Sequence, residues 1–235
     1  MDIQDLSYDI KGAKFSGKLC TPVGGGSRPA VLVAHDWTGC NDFAIEAAKK
    51  VAAQGYIAFA IDMYGAGKCG STNEEKTALM TPLMEDRSLL KDRVVGALNV
   101  LKQQPNVQVN QTAALGFCFG GLCALDLARS GSAVQGVVSF HGLLHGAGLP
   151  ENEVNSKVLV LHGHDDPMVP PEQVLEFEQE MSKAQVDWQV HAYGGTVHAF
   201  TNPAANDPAF GTVYNATVAD RAWSSCFQFL NEVFS

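Results

Sequence analysis

Residues 116–121, with the sequence GFCFGG, constrain the fold of this chain more than any other feature. An apolar run precedes them at 112–115 and a helix-compatible run follows at 122–128, which predicts a strand, a very tight turn and a helix. Such a turn needs glycines around its central residue, because strand and helix approach too closely for side chains. Cys118 is then expected above the edge of a sheet, with the positive end of the helix beneath its sulfur. The alternative is a buried cysteine in a glycine-rich turn.

Apolar runs suited to buried strands alternate with helical patterns along the chain. Strands are expected at residues 7–10, 15–20, 30–35, 56–61, 112–117, 136–141, 157–162 and 186–191. Helices are expected at residues 44–54, 73–84, 86–104, 120–130 and 171–184, with a last helix from about 206 to 234. This alternation is typical of an α/β fold with a mostly parallel central sheet and helices on both faces. Because no repeat or low-complexity linker interrupts it, one domain over residues 1–235 is expected.

Composition and charge argue against several classes of partner. The net charge is −9 and no run of lysine and arginine offers a phosphate-binding face, so no nucleic acid is expected. No stretch approaches the roughly 18 apolar residues of a membrane span, and the acidic start of the chain does not resemble a secretory signal. The six cysteines include no C-x-x-C pair, and no glycine-rich stretch has the spacing of a phosphate loop. A cytoplasmic protein without metal or cofactor is therefore expected.

Three predicted strand ends carry the residues of a catalytic triad. In sheets of this kind ligands bind outside the carboxyl ends of the strands, where Cys118, Asp166 and His198 fall in that order. A histidine within hydrogen-bonding reach activates a thiol, and a carboxylate fixes the tautomer of that histidine. Asp165 competes with Asp166 for the role of the acid. His198 is favoured as the base because it follows the last strand, where the base of such a triad belongs. The six other histidines end strands or lie in polar loops: His35, His141, His145, His162, His164 and His191.

An ester hydrolysed by such a triad also needs an oxyanion hole, because the tetrahedral intermediate carries a negative charge. One donor is expected to be the backbone N–H of Phe119, which directly follows the nucleophile. The second is expected from the loop after the early strand, and we assign it to the backbone N–H of Trp37. The indole of Trp37 could also simply cover the pocket, which is compatible with that role.

Four motifs in the correct order and spacing resemble those of the dienelactone hydrolase family. They are His35-Asp36-Trp37-x-Gly39-x-Asn41, Gly116-Phe117-Cys118-Phe119-Gly120-Gly121, His162-Gly163-x-x-Asp166-x-x-Val169-Pro170 and Gly195-x-x-His198-Ala199-Phe200. The resemblance runs from about residue 10 to the end of the chain. It implies the α/β-hydrolase fold and a cofactor-free cysteine hydrolase of carboxylic esters or lactones, with Cys118 as nucleophile, His198 as base and Asp166 orienting it.

Two positions depart from the family pattern. Asp36 replaces a glutamate that holds the resting thiol in well-known members, and Asn202 replaces an arginine that binds the substrate carboxylate. A neutral amide cannot form a charge-assisted pair with a carboxylate, and neither Arg87 nor Arg93 can be placed in the pocket from sequence. A neutral ester or lactone is therefore expected rather than dienelactone itself.

The pocket for this substrate is expected to be aromatic. Tyr64 and Phe200 are candidates to line it together with Trp37 and Phe119, with plain core packing as the alternative for each. Asn202 is a further pocket candidate, and Asp36 a candidate partner of the thiol.

The expected reaction passes through a thioester acyl-enzyme on Cys118. A soft thiolate beside oxyanion donors also suggests promiscuous hydrolysis of activated esters, including neutral phosphotriesters. A thioesterase or acyltransferase forms the same intermediate and stays open as an alternative. Two non-enzymatic alternatives are a binding protein and a redox sensor in which Cys123 resolves an oxidised Cys118. Either a monomer or a homodimer is compatible with the sequence.

Overall fold

The computed structural model describes residues 1–146 and 153–235. The strands of these residues are β1 (Asp2–Ile10), β2 (Ala13–Thr21), β3 (Arg28–Ala34), β4 (Ile57–Ile61), β5 (Val107–Phe117), β6 (Gly136–Phe140), β7 (Lys157–Gly163), β8 (Trp188–Tyr193), β9 (Asn206–Asp207) and β10 (Thr212–Val213). The helices are α1 (Asp42–Ala53), α2 (Asn73–Glu85), α3 (Arg87–Lys102), α4 (Phe119–Arg129), α5 (Pro171–Lys183) and α6 (Ala216–Val233).

Eight of these strands form one twisted sheet in the order β1-β2-β4-β3-β5-β6-β7-β8. The pairs from β4 through β3 to β8 are parallel, and only β1 and β2 run antiparallel to their neighbours. Strands β4 and β6 are buried along their whole length, which explains why they are continuous apolar runs. The sequence prediction of a mostly parallel sheet is therefore confirmed.

Helices cover both faces of the sheet, as predicted. On one face α1 and α6 pack against it through Val51 and Trp223. On the other face α3, α4 and α5 contribute side chains such as Leu90, Leu125 and Phe177. The buried residues of α1, α3, α5 and α6 recur at helical spacing, so each of these helices buries one side and leaves the other in water, whereas α4 is buried along its whole length. Within the described residues, no helix has both the length and the apolar character needed to cross a bilayer.

Three element boundaries differ from the sequence expectation by five or more residues, and the first is β1, which begins at Asp2 rather than at residue 7. Strand β5 begins at Val107, five residues before its fully buried part, because its first residues pair at the surface where polar side chains are tolerated. The last helix begins at Ala216 rather than near residue 206, and Asn215 caps it by accepting a hydrogen bond from the N–H of Val218. The residues before it form a small hairpin of β9 and β10, with Gly211 at a positive φ of 76°.

Candidate active site

The turn between β5 and α4 is as tight as the glycines predicted. A Cβ atom added to Gly116 would lie 2.0 Å from the carbonyl oxygen of Gly120, and one on Gly120 would lie 2.3 Å from that of Ala34. Between them Cys118 has a positive φ of 54°, a strained conformation for a residue with a side chain. The N–H of Cys118 donates to the carbonyl of Phe140 at 3.0 Å, which ties the turn to β6. This geometry is that of a nucleophile elbow.

The loops after β7 and β8 bring Asp166 and His198 together. The Nδ1 atom of His198 lies 2.7 Å from Oδ2 of Asp166, and both side chains are buried. The other carboxylate oxygen of Asp166 accepts the N–H of Met168 at 2.8 Å, so the acid is held from both sides. Asp165, by contrast, is exposed. Of the two candidate acids, Asp166 is therefore the one in contact with the imidazole.

The imidazole of His198 also interacts with Cys118. Burial alone would lower the pKa of His198, but the charge of Cys118 and the hydrogen bond with Asp166 outweigh it and raise the pKa to about 10. Within the described residues, no partner of the buried Nε2 atom meets full hydrogen-bond geometry. The contact with the thiol is thus looser than a standard hydrogen bond, as is common in a catalytic site without substrate.

The two backbone groups assigned to the oxyanion hole are available to a ligand. In residues 1–146 and 153–235, the N–H of Trp37 and that of Phe119 donate no hydrogen bond. Phe119 is the first residue of α4, where N–H groups lack helical partners and create a positive potential that favours a bound anion. Trp37 lies in the loop after β3, which packs against the elbow because Gly120 has no side chain.

Asp36 is engaged within its own loop. Its Oδ1 atom accepts hydrogen bonds from the N–H of Thr38 at 2.8 Å and from the hydroxyl of the same residue. The side chain is buried and faces the cavity, yet within the described part of the chain it makes no hydrogen bond to Cys118. The structure therefore places Asp36 as a cap of the Trp37 loop, and its role as partner of the thiol stays a prediction.

A cavity of about 770 Å³ opens above Cys118 and His198. Its wall is mainly apolar and is formed by the loops after β3 and β8 together with α2. Apolar side chains of this wall are Trp37, Phe43, Met80, Leu143, Met168, Ala199 and Phe210. Asn202 lines the cavity as expected, and Lys76 is the basic residue of the described lining.

Three of the expected aromatic residues do not line this cavity, and the first is Phe119, whose side chain is fully buried and stacks on Tyr64. Phe200 is fully buried and packs edge-on against His141, with ring centroids 5.1 Å apart. Tyr64 is 6% exposed and donates its hydroxyl hydrogen to the carbonyl of Trp37 at 2.8 Å. Phe200 and Tyr64 both lie outside the cavity wall, so core packing is the outcome for Phe200 and loop bracing for Tyr64. Neither Arg87 nor Arg93 lines the cavity, since Arg87 pairs with Asp126 and Arg93 donates to the carbonyl of Met63.

Several residues of the cavity were not foreseen from sequence. Phe210 stacks on Trp37 with ring centroids 5.7 Å apart, and the Nζ atom of Lys76 lies 5.1 Å from the Trp37 ring. His141, interpreted as a strand-end histidine, lines the cavity 5.2 Å from the ring of His198. Burial lowers the pKa of His141 well below its ordinary value, so that residue stays neutral. No residue of α2 before Leu83 is buried, and Lys76 and Met80 of this stretch line the cavity.

The geometry gives less support to the redox-sensor alternative. Cys123 is fully buried in α4, and burial raises the pKa of its thiol well above the ordinary value. An inaccessible thiol of high pKa is a poor resolving group for an oxidised Cys118. Among the residues that the structure describes, no group of three or more His, Cys, Asp and Glu side chains is arranged to hold a metal ion.

Comparisons with known proteins agree with this fold. The model of the dienelactone hydrolase family matches residues 15–234. The crystal structure of a dienelactone hydrolase-like promiscuous phosphotriesterase from metagenomic libraries superposes with a TM-score of 0.96 and 33% identity, covering 100% of this chain and 99% of that one.

Two curated relatives are similar over nearly the whole chain. A putative carboxymethylenebutenolidase of Aquifex aeolicus is 28% identical over 96% of this chain and 96% of its own length. A probable 2-oxo-3-(5-oxofuran-2-ylidene)propanoate lactonase of Bradyrhizobium sp is 29% identical over 90% of this chain and 87% of its own length. With the fold, these matches show that the chain belongs to the dienelactone hydrolase family and is an ester or lactone hydrolase of the α/β-hydrolase fold.

Proposed function

We propose that this chain hydrolyses neutral carboxylic esters or lactones through a Cys118–His198–Asp166 triad. The observation that carries the proposal is the meeting of three strand ends at one cavity. The elbow presents Cys118 there, and His198 faces it while its Nδ1 atom is held by Asp166 at 2.7 Å. These are the roles of nucleophile, base and orienting acid.

The reaction divides into two acyl-transfer steps. The thiolate of Cys118 attacks the carbonyl carbon, and the oxygen takes up the electron pair between the N–H groups of Trp37 and Phe119. The C–O bond then breaks and the leaving alkoxide takes the proton from protonated His198, which leaves a thioester. In the second step His198 deprotonates a water molecule, which attacks the thioester. The acid is released and Cys118 returns as the thiolate.

The cavity wall supports a neutral substrate with an apolar or aromatic part. Trp37 and Phe210 form a stacked aromatic surface, and Met80, Leu143 and Met168 continue the apolar wall. Three aspartates of the described lining (Asp36, Asp42 and Asp207) outnumber its single lysine, which disfavours a substrate carboxylate. The described lining of the cavity holds no arginine that could take the place of the family arginine at the position of Asn202.

A second activity, towards neutral phosphotriesters, is favoured by one comparison. The metagenomic relative described above is a promiscuous phosphotriesterase with nearly the same backbone. In this side reaction the thiolate would attack phosphorus, an aryloxide would leave, and water would then cleave the P–S bond. Release of one equivalent of aryloxide without turnover would contradict hydrolysis of this second substrate class.

The test is an assay of p-nitrophenyl butyrate hydrolysis with chelator present throughout. Cys118→Ala is expected to abolish turnover, and Cys123→Ala, which removes the neighbouring buried thiol, is expected to retain it. Activity that survives in Cys118→Ala would overturn the triad. Trapping of the acyl group by an added amine or thiol in preference to water would favour the acyltransferase alternative.

A further inference from the structure

The peptide unit between Asp36 and Trp37 is held by a buried histidine. Nδ1 of His35 lies 2.5 Å from the carbonyl oxygen of Asp36, and Nε2 of the same ring lies 3.0 Å from the backbone nitrogen of Met63. Because Met63 N–H donates to Nε2, the ring proton is on Nδ1, which donates to Asp36. The ring is completely buried, so water does not compete for either bond.

This hydrogen bond fixes the direction of the Trp37 N–H. In a planar trans peptide the C=O and the following N–H point in opposite directions. A donor that holds the Asp36 carbonyl therefore aims the Trp37 N–H away from His35. That N–H is the one assigned to the oxyanion hole, and it has no other partner within residues 1–146 and 153–235.

Tyr64 braces the same loop one peptide further on. Its hydroxyl donates to the Trp37 carbonyl at 2.8 Å, and its ring meets His35 edge-on with centroids 4.7 Å apart. The ring of Tyr64 also stacks on the ring of Phe119, with centroids 5.8 Å apart and an interplanar angle of 23°. One buried side chain thus contacts both residues whose N–H groups form the proposed oxyanion hole.

We propose that His35 and Tyr64 are positioning residues that aim the Trp37 N–H at the developing oxyanion. The inference rests on the proposed function, because it needs a tetrahedral intermediate at Cys118. His35 must stay neutral to keep one donor and one acceptor nitrogen. Burial, which lowers the pKa of His35, is consistent with that requirement.

The experiment compares two reactions of Cys118 in the same variants. Ester hydrolysis passes through an oxyanion, whereas alkylation of the thiolate by iodoacetamide does not. Tyr64→Phe, which removes only the hydroxyl, is expected to lower kcat about ten-fold, and His35→Phe about 100-fold, with KM within two-fold. The alkylation rate is expected to stay within two-fold. His35→Gln, which can still donate to Asp36, is expected to recover part of kcat.

Tyr56→Phe is the matched control, since its hydroxyl donates to Asn231 on the other face of the sheet. Its kcat is expected to remain that of the wild type. Unchanged kcat in Tyr64→Phe and His35→Phe would overturn the proposal, as would alkylation that slows in parallel with hydrolysis. If His35→Phe does not fold, Tyr64→Phe alone decides. Activity in Cys118→Ala would instead refute the proposed function, whatever Tyr64→Phe does.

Discussion

Asp166 and His198 are 32 residues apart in the chain, yet Oδ2 of the first lies 2.7 Å from Nδ1 of the second. The parallel pairing of β7 with β8 creates this contact, because it ends both strands at the same edge of the sheet. The two following loops are pressed together at Gly163, where a Cβ atom would lie 2.6 Å from the carbonyl oxygens of Thr196 and Val197. The carboxylate therefore fixes the ring orientation in which Nε2 of His198 faces the thiol.

Replacing Asp166 by asparagine is expected to lower kcat by about 10³- to 10⁴-fold, since the amide can stabilise the wrong tautomer and cannot stabilise the imidazolium. Steady-state kinetics on a p-nitrophenyl ester measure the loss. The neighbouring exposed residue provides a control, and Asp165→Asn is expected to stay within two-fold of wild type. Equal losses in the two variants would point to a disturbed loop instead of a triad acid.

The pKa of His198 is expected to depend on the charge of Cys118. The charge of Cys118 is the largest of the contributions that raise the pKa of His198 to about 10. Wild-type His198 should thus stay protonated from pH 6 to 9, whereas in Cys118→Ala it should lose its proton at lower pH. NMR titration of the imidazole ring protons measures both. An unchanged midpoint in Cys118→Ala would show that the two side chains are not electrostatically coupled.

The same raised pKa has a consequence for stability. Folded His198 keeps its proton up to about pH 10, whereas an unfolded histidine releases it near pH 6.5. Its stabilising contribution is therefore complete below pH 6.5 and is lost as the pH rises towards 10. Urea unfolding of wild type and His198→Gln at pH 6.5 and 9.5 tests this. The difference in free energy of unfolding between them should shrink at the higher pH.

Gly120→Ala is expected to destabilise the fold by about 3 kcal/mol and to abolish most activity, because the added Cβ meets backbone oxygens of β3 and its loop that cannot move aside. Gly194 is the matched control, since a Cβ there has no atom within 4 Å. Gly194→Ala should change the free energy of unfolding by less than about 0.5 kcal/mol. Chemical denaturation compares the two, and similar losses would contradict the close approach at the elbow.

Asp126 is the buried centre of a charge cluster between α3, α4 and α5. It accepts two hydrogen bonds of 2.7 Å from Arg87 and one of 3.3 Å from Arg129, which in turn pairs with Glu180. Asp126→Asn leaves two buried guanidinium groups undercompensated, and we expect a loss of about 3–5 kcal/mol in the free energy of unfolding.

The exposed pair of Lys49 and Glu46 is the control for this prediction. Glu46→Gln should cost no more than about 0.5 kcal/mol, because water screens that pair. Denaturant unfolding of both variants gives the comparison. A small effect of Asp126→Asn would mean that water or a rearranged Glu180 compensates the arginines.

Local patterns in the sequence were sufficient for the elbow and for most of the sheet. The glycines around Cys118 predict a close approach that is independent of the rest of the chain, and the Cβ distances at Gly116 and Gly120 agree. Continuous apolar runs likewise predict buried parallel strands such as β4 and β6. The last helix was placed too early, because the short hairpin of β9 and β10 has too few residues to carry a periodic signal.

The cavity, in contrast, could not be derived from patterns along the chain. Tyr64 and Phe200 are aromatic residues near strand ends, as are many cavity residues, yet both turn inwards. Phe210 and Lys76 come from segments distant in sequence, and each of them contacts the ring of Trp37. Long-range packing decides whether an aromatic side chain faces the ligand or the core. Spacing along a strand fixes the face of the sheet on which a side chain lies, but not the residues that pack around it.

The sequence by itself determined the fold class, the elbow and the order of the candidate nucleophile, acid and base, since each depends on residue type and local spacing. Only the tertiary structure decided that His35 holds the peptide of the Trp37 N–H and that Tyr64 supports both sides of the proposed oxyanion hole. Those contacts join the loops after β3 and β4 with the start of α4. They exist because parallel pairing brings strand ends that are far apart in sequence to one edge of the sheet.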